Sequence, residues 1–223
     1  MRKGFTLIEL LIVIGILAIL ATTVVLVLNP AQILAESRDT QRISDLGAVN
    51  NAIGLYLATV SNPVFGSGTA ETSSCGTTVW RASGAGATIA SLADVNNPFT
   101  TGSGGTTVTS VPASAFRNID GTGWVSAGVG QTPAGFNGIS GGSPLPNLPT
   151  DPAAGNASSV APLTVAGHFY AFQCGTGAEA LTFEINANME STKFGGGSSD
   201  VEGTDGGNVT TVYEIGNNPG LDL

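Results

Sequence analysis

Hydrophobic and polar positions change their pattern several times along the chain. Positions 10–28 carry no charged residue. Nineteen such residues make roughly 28 Å of helix, about one hydrocarbon core. A short basic head, Arg2 and Lys3, stands ahead of this run and ends at Gly4, and one carboxylate, Glu9, interrupts its apolar start. Asn29-Pro30 then breaks the pattern. A proline inside a helix removes a hydrogen bond and clashes with the preceding turn, so Pro30 is expected to kink or locally open the helix. Beyond it the pattern becomes one-sided. Ile33, Leu34, Ile43, Leu46, Val49 or Asn50, Ile53 and Leu57 recur at spacings near three and four, opposite Glu36, Arg38, Asp39, Arg42 and Asp45. This spacing predicts an amphipathic helix over 30–60 that ends near Val60, ahead of Asn62-Pro63. Asp39 and Arg42, three apart, are expected to form a solvated pair worth a few tenths of a kcal/mol.

From 61 to 163, Gly, Ser and Thr runs alternate with short apolar pieces. Segments 77–81, 106–111 and 124–129 are candidate short strands, 91–94 a helical turn, and the proline-rich 143–152 an extended connector. The C-terminal part, 164–223, is clearer. Residues 167–174 are rich in strand formers, and 180–187 alternate strictly, with Leu181, Phe183, Ile185 and Ala187 on one side. Two such strands joined through Gly175 and Gly177 predict a hairpin with one buried face. A glycine-rich loop over 195–207 leads to a last strand over 208–215 and a tail.

The formal charge of −9 includes the two positive charges of Arg2 and Lys3, and only Arg81, Arg117 and Lys193 are basic beyond residue 42. No basic patch is visible, so nucleic acid is not an expected partner. Charged residues are only 10% and Gly is 32 of 223, which suits a loop-heavy, β-rich exported domain rather than a disordered chain. Both cysteines, Cys75 and Cys174, lie outside the apolar run. In an extracytoplasmic domain a Cys75–Cys174 disulfide is the default, and two buried thiols are the alternative.

Motifs for catalysis are weak. Residues 138–142 fit G-x-S-x-G, followed by Asp151 and His168, but the flanks lack the strand and helix that a nucleophile elbow needs. With a single histidine and no Cys-x-x-Cys spacing, zinc is unsupported, and no P-loop or dinucleotide fingerprint occurs. The chain reads as no enzyme. Asp200, Glu202 and Asp205 place three carboxylates in six residues around Gly203, a hard-oxygen set for Ca²⁺, against the plainer reading of a solvated acidic loop.

A secretory signal would have a shorter apolar region and a small-residue cleavage site, whereas this run passes straight into an amphipathic helix. A plain signal anchor leaves Glu9 unexplained, since a carboxylate at mid-bilayer costs about 2.5–3.5 kcal/mol and less near the interface. Basic residues, Gly4 and then Phe5-Thr6-Leu7-Ile8-Glu9 with an apolar helix resemble the class III leader of type IV pilins and type II secretion pseudopilins. The resemblance implies an α+β type IV pilin fold, whose long N-terminal helix protrudes with its apolar half and packs its second half on a C-terminal antiparallel sheet. It implies residues 1–4 as a leader, 5–29 as the membrane and filament-core helix, and 30–60 as the packed helix. The loop-rich 61–163 and the sheet-bearing 164–223 would form the head. Leu148-Pro149-Thr150-Asp151-Pro152 is similar to connectors that precede the sheet in pilin-like chains. The resemblance further implies cleavage between Gly4 and Phe5 by prepilin peptidase, methylation of the Phe5 amine, and a docking role for Glu9. Some pseudopilins bind calcium in a C-terminal loop, which bears on the 200–205 cluster. The expected partners are copies of the same chain in a helical filament, the inner-membrane assembly platform, and the cytoplasmic membrane before assembly. A pseudopilin of a secretion or DNA-uptake system, and an anchored binding module that never polymerises, are the alternatives.

Overall fold

The computed structural model describes residues 4–66, 79–82, 107–111, 115, 117–153, 168–175 and 180–220. The chain begins with helix α1, Leu7–Leu28, and continues with helix α2, Pro30–Thr59. A reciprocal cap starts α1: the Thr6 hydroxyl accepts the Glu9 amide at 3.3 Å, and the Glu9 carboxylate accepts the Thr6 amide at 2.9 Å. Within the apolar run, the Thr22 and Thr23 hydroxyls donate to the carbonyls of Ala18 and Leu20, each at 2.8 Å, so these groups stay satisfied on an apolar surface. Residues 7–25 are exposed throughout, and Leu7–Val25 is long and apolar enough to cross a membrane.

Pro30 ends one helix and starts another instead of kinking a single one. Asn29 adopts a left-handed conformation (φ 36°) that closes α1, and Pro30 takes the first position of α2, where its missing N–H is no loss. The Asn29 carbonyl accepts the amides of Gln32 and Ile33 and seeds the new helix. At the other end, the Val60 amide bonds back to the Tyr56 carbonyl at 3.1 Å, just ahead of Asn62-Pro63.

The sheet has five strands among the described residues. Strands β3 (Tyr170–Cys174), β4 (Phe183–Ala187) and β5 (Tyr213–Gly216) form an antiparallel meander. Strand β1 (Val79–Ala82) pairs antiparallel with β3, and β2 (Thr107–Ser110) runs parallel to β1. A long N-terminal apolar helix with an antiparallel sheet is an α+β arrangement consistent with the type IV pilin fold. The 77–81 and 106–111 expectations correspond to β1 and β2, whereas the 91–94 turn lies outside the described residues. The strand expected over 124–129 does not form. Trp124, Val125 and Ala127 are buried, but only a single bridge, Phe65 to Ala127, pairs this stretch, because Gly121, Gly128 and Gly130 take positive φ and curl the chain. The last strand is shorter than expected, as 208–212 turn and only Tyr213–Gly216 pair.

The core lies between α2 and the inner face of the meander. Leu46, Val49, Ile53 and Tyr56 pack with Tyr170, Phe172, Phe183 and Ile185, and Phe65, Trp124, Phe136 and Leu148 from the intervening segment close the remaining sides. Extending the α2 stripe backwards by fours and threes from Leu46 reaches Arg42, Asp39 and Ala35, all buried. Ile33 and Leu34, expected on that stripe, are instead 52% and 59% exposed. Ile53→Ala is expected to lower stability by about 2–5 kcal/mol through transfer and cavity terms. Ile33→Ala is expected to stay within about 0.5 kcal/mol of the parent. Urea unfolding of the detergent-solubilised chain, followed by tryptophan fluorescence, checks both.

Candidate functional site

The N-terminal segment presents its chemistry outward. Gly4 is exposed, and a Cβ built on it would meet nothing within 4 Å, so the fold itself places no demand for glycine there. Phe5 follows at 80% exposure. The Glu9 carboxylate accepts both the amide and, at 2.7 Å, the hydroxyl of Thr6, which gives it partners in the single chain. The segment therefore offers an accessible backbone at Gly4-Phe5 and, one turn on, a carboxylate on an apolar helix that is exposed over residues 7–25.

The head is fixed to α2 by charges. Asp39 and Arg42 are fully buried, which corrects the expectation of a solvated pair. Arg42 grips Asp151 with two bonds, Nε to Oδ2 at 2.7 Å and Nη2 to Oδ1 at 2.8 Å. Its Nη1 donates to Asp39 Oδ1 at 2.6 Å, and its Nη2 also reaches Glu190. Arg38 forks onto Glu190 at 2.9 and 3.0 Å from Nε. Asp39 also receives the backbone amides of Glu190 at 2.9 Å and Ser191 at 2.8 Å, and Asp151 receives that of Ala153 at 2.8 Å. Near the cluster, the Tyr170 hydroxyl donates to Asp45 at 2.9 Å. One guanidinium thus joins α2 to the proline-rich connector and to the loop after β4.

Electrostatics follow this geometry. Burial opposes the Arg42 charge, but Asp151, Glu190 and Asp39 outweigh it and raise the guanidinium's pKa. Burial likewise works against the Glu190 carboxylate, yet Arg38 and Arg42 prevail and lower its pKa to about 2. The folded pKa lies below the unfolded one, so the Glu190 contribution is complete above the ordinary carboxylate range and is lost as pH falls toward 2.

Other sequence candidates are separated by the fold. Ser140 is exposed behind a short 3-10 helix, Gly135–Gly138, and Asp151 is committed to Arg42, so no nucleophile elbow forms over 138–142. Asp200 caps the Gly203 amide, Glu202 the Met189 amide, and Asp205 the amides of Gly207 and Glu214. Each acidic side chain of that loop thus accepts from a backbone amide, within the loop or from neighbouring segments of the chain. No group of three or more His, Cys, Asp and Glu side chains is placed to hold a metal among the described residues. Cys174, buried at the end of β3, is disulfide-bonded, and Cys75 lies outside the described residues.

Sequence reasoning missed Asp151 and Glu190 as partners of Arg42. The usable signal was the heptad-like spacing of 35, 39, 42, 46, 49, 53 and 56, which puts two charges on the buried stripe and demands counter-charges from elsewhere.

Residues 1–25 match the family model described as the prokaryotic N-terminal methylation motif. This is the class III prepilin leader of type IV pilins and pseudopilins. No curated protein and no solved structure matches the chain.

Arg42→Ala leaves three carboxylates facing one another and is expected to cost about 3–5 kcal/mol, read as a lowered urea midpoint. Thermal melts of the parent between pH 5 and 2 are expected to fall steadily, and Glu190→Gln is expected to flatten that dependence.

Proposed function

We propose, from a prepilin leader joined to an α+β head, that this chain is a structural pilin subunit. The membrane holds the precursor through Leu7–Val25, a prepilin peptidase cuts between Gly4 and Phe5, and the Phe5 amine is methylated. An inner-membrane assembly platform then polymerises the subunits into an extracellular filament, with α1 in its core and the acidic heads outside. The observation that carries this reading is a helix apolar all round, none of whose described surface is buried in the single chain, bearing one carboxylate at Glu9. Such a surface needs lipid or other helices. A Cys75–Cys174 bridge tying the 61–163 segment to β3 belongs to the same reading; the bonded state of Cys174 supports it.

The same leader begins pseudopilins, which form short periplasmic assemblies in secretion or DNA uptake. The long 61–163 segment exceeds what a minimal pseudopilin head needs and favours the surface filament.

Gly4→Val is expected to block the cut, because a pocket that accepts glycine has no room for a branched side chain. Intact-mass analysis of membranes should find the full precursor, whereas the parent should begin at methylated Phe5. Glu9→Val is expected to be cut and inserted normally but to give few or no filaments in sheared-fibre preparations. A carboxylate entering an apolar helix bundle needs a positive partner, and the free amine of a neighbour's Phe5 supplies one. Normal filament yield from Glu9→Val would favour a non-polymerising anchored module instead.

A further inference from the structure

The face of the sheet turned away from α2 is both polar and buried. Alternation along the strands sends Phe172, Phe183 and Ile185 into the core, so Gln173 of β3, Glu184 and Asn186 of β4, and Glu214 of β5 share the opposite face. Strand register sets Gln173 directly across from Glu184, and Asn186 directly across from Glu214. Side chains so paired have Cβ atoms about 4.5–5.5 Å apart. None of the four residues is more than 2% exposed.

Two unusual features meet there. Glu184 and Glu214 stand diagonally across β4 and β5, near enough for the Glu184 charge to add to burial in pushing the Glu214 carboxyl up. One oxygen of each is held from outside the strands: Glu214 Oε2 by the Val209 amide and Glu184 Oε2 by the Gly220 amide, both at 2.8 Å. Gly207 closes over the first, since a Cβ there would lie 2.0 Å from Glu214 Oε2. Beside this pair, both polar atoms of the Gln173 carboxamide and both of the Asn186 carboxamide find no hydrogen-bond partner among the described residues.

Each feature is costly alone. A buried polar group without a partner costs about 1–3 kcal/mol, and two neighbouring buried carboxylates repel each other, so ionising both is costly without a positive charge nearby. Basic side chains described elsewhere in the head are engaged: Arg38 and Arg42 in the α2 cluster, Arg117 with the Leu148 carbonyl, and Lys193 with Glu36. Asp205 adds further negative field by accepting the Glu214 amide at 2.6 Å. A proton on one glutamate relieves the repulsion but leaves the carboxamides without partners. A hard divalent cation answers both, because carboxylate and carboxamide oxygens are its preferred ligands.

We propose that Glu184, Glu214, Asn186 and Gln173 form a divalent-cation site of the calcium class on the outer face of the sheet. The bound ion ties β3, β4 and β5 to the loop at 207–209 and to the chain near Gly220. The site is distinct from the 200–205 loop, whose carboxylates cap backbone amides.

The test is equilibrium dialysis of the detergent-solubilised full chain, stripped with chelator, against calcium chloride. About one calcium per chain is expected, with affinity at least about tenfold weaker in Glu214→Gln and in Gln173→Met. Glutamine at 214 keeps the side-chain shape and an oxygen for the Val209 amide while removing the charge, and Gln173→Met leaves both carboxyls in place. The second variant therefore reports on the site even where the first fails to fold. Absence of calcium uptake by the parent overturns the proposal. So does uptake that survives both substitutions, or that disappears in Asp200→Asn alone.

Discussion

Arg42 sits without solvent among Asp39, Asp151 and Glu190, and the arrangement of the head follows from satisfying that one charge. A buried guanidinium has five donors in a fixed plane, and the three carboxylates come from three separate parts of the chain. Asp39 is one turn away on the same helix, Asp151 closes the proline-rich connector, and Glu190 begins the loop after β4. The connector can approach α2 only where Asp151 meets Arg42 in two parallel bonds, a geometry that tolerates little slippage. Asp39 in turn orders the backbone of Glu190 and Ser191, so the loop after β4 is held by both side-chain and main-chain bonds. Hydrophobic packing of Leu46, Ile53 and Tyr56 supplies the non-directional attraction between helix and sheet. The ion cluster adds direction to it, and this division of labour explains why the buried stripe changes from apolar to charged toward the start of α2.

The sequence made the N-terminal segment legible because everything it needs is local. A leader, an apolar run and a carboxylate within nine residues do not depend on how the rest of the chain folds. The meander was legible for a similar reason: alternation over 180–187 reports directly on which side of a strand is covered. What alternation could not show was that the other side is covered as well, so Glu184 and Asn186 read as solvent-facing when both are buried. The Arg42 cluster was hidden by a default that sends charges to water. Its remote partners lie 109 and 148 residues away in the chain, beyond any periodicity argument. The stretch from Trp124 to Val129 misled through composition. Strand-forming residues were present, but Gly121, Gly128 and Gly130 impose curvature, and the apolar side chains fill the core from a coil.

The separation of the two helices at Asn29 also bears on energetics. Residues 7–25 share no buried surface with the head, and α1 and α2 each have their own N-terminal start. Sites without shared contacts contribute independently to free energy. The free energy of placing α1 in an apolar environment therefore adds to, and does not alter, the folding free energy of the head. Selection can tune how firmly the anchor associates with its surroundings by substitution along residues 7–25, leaving the surface of the head untouched.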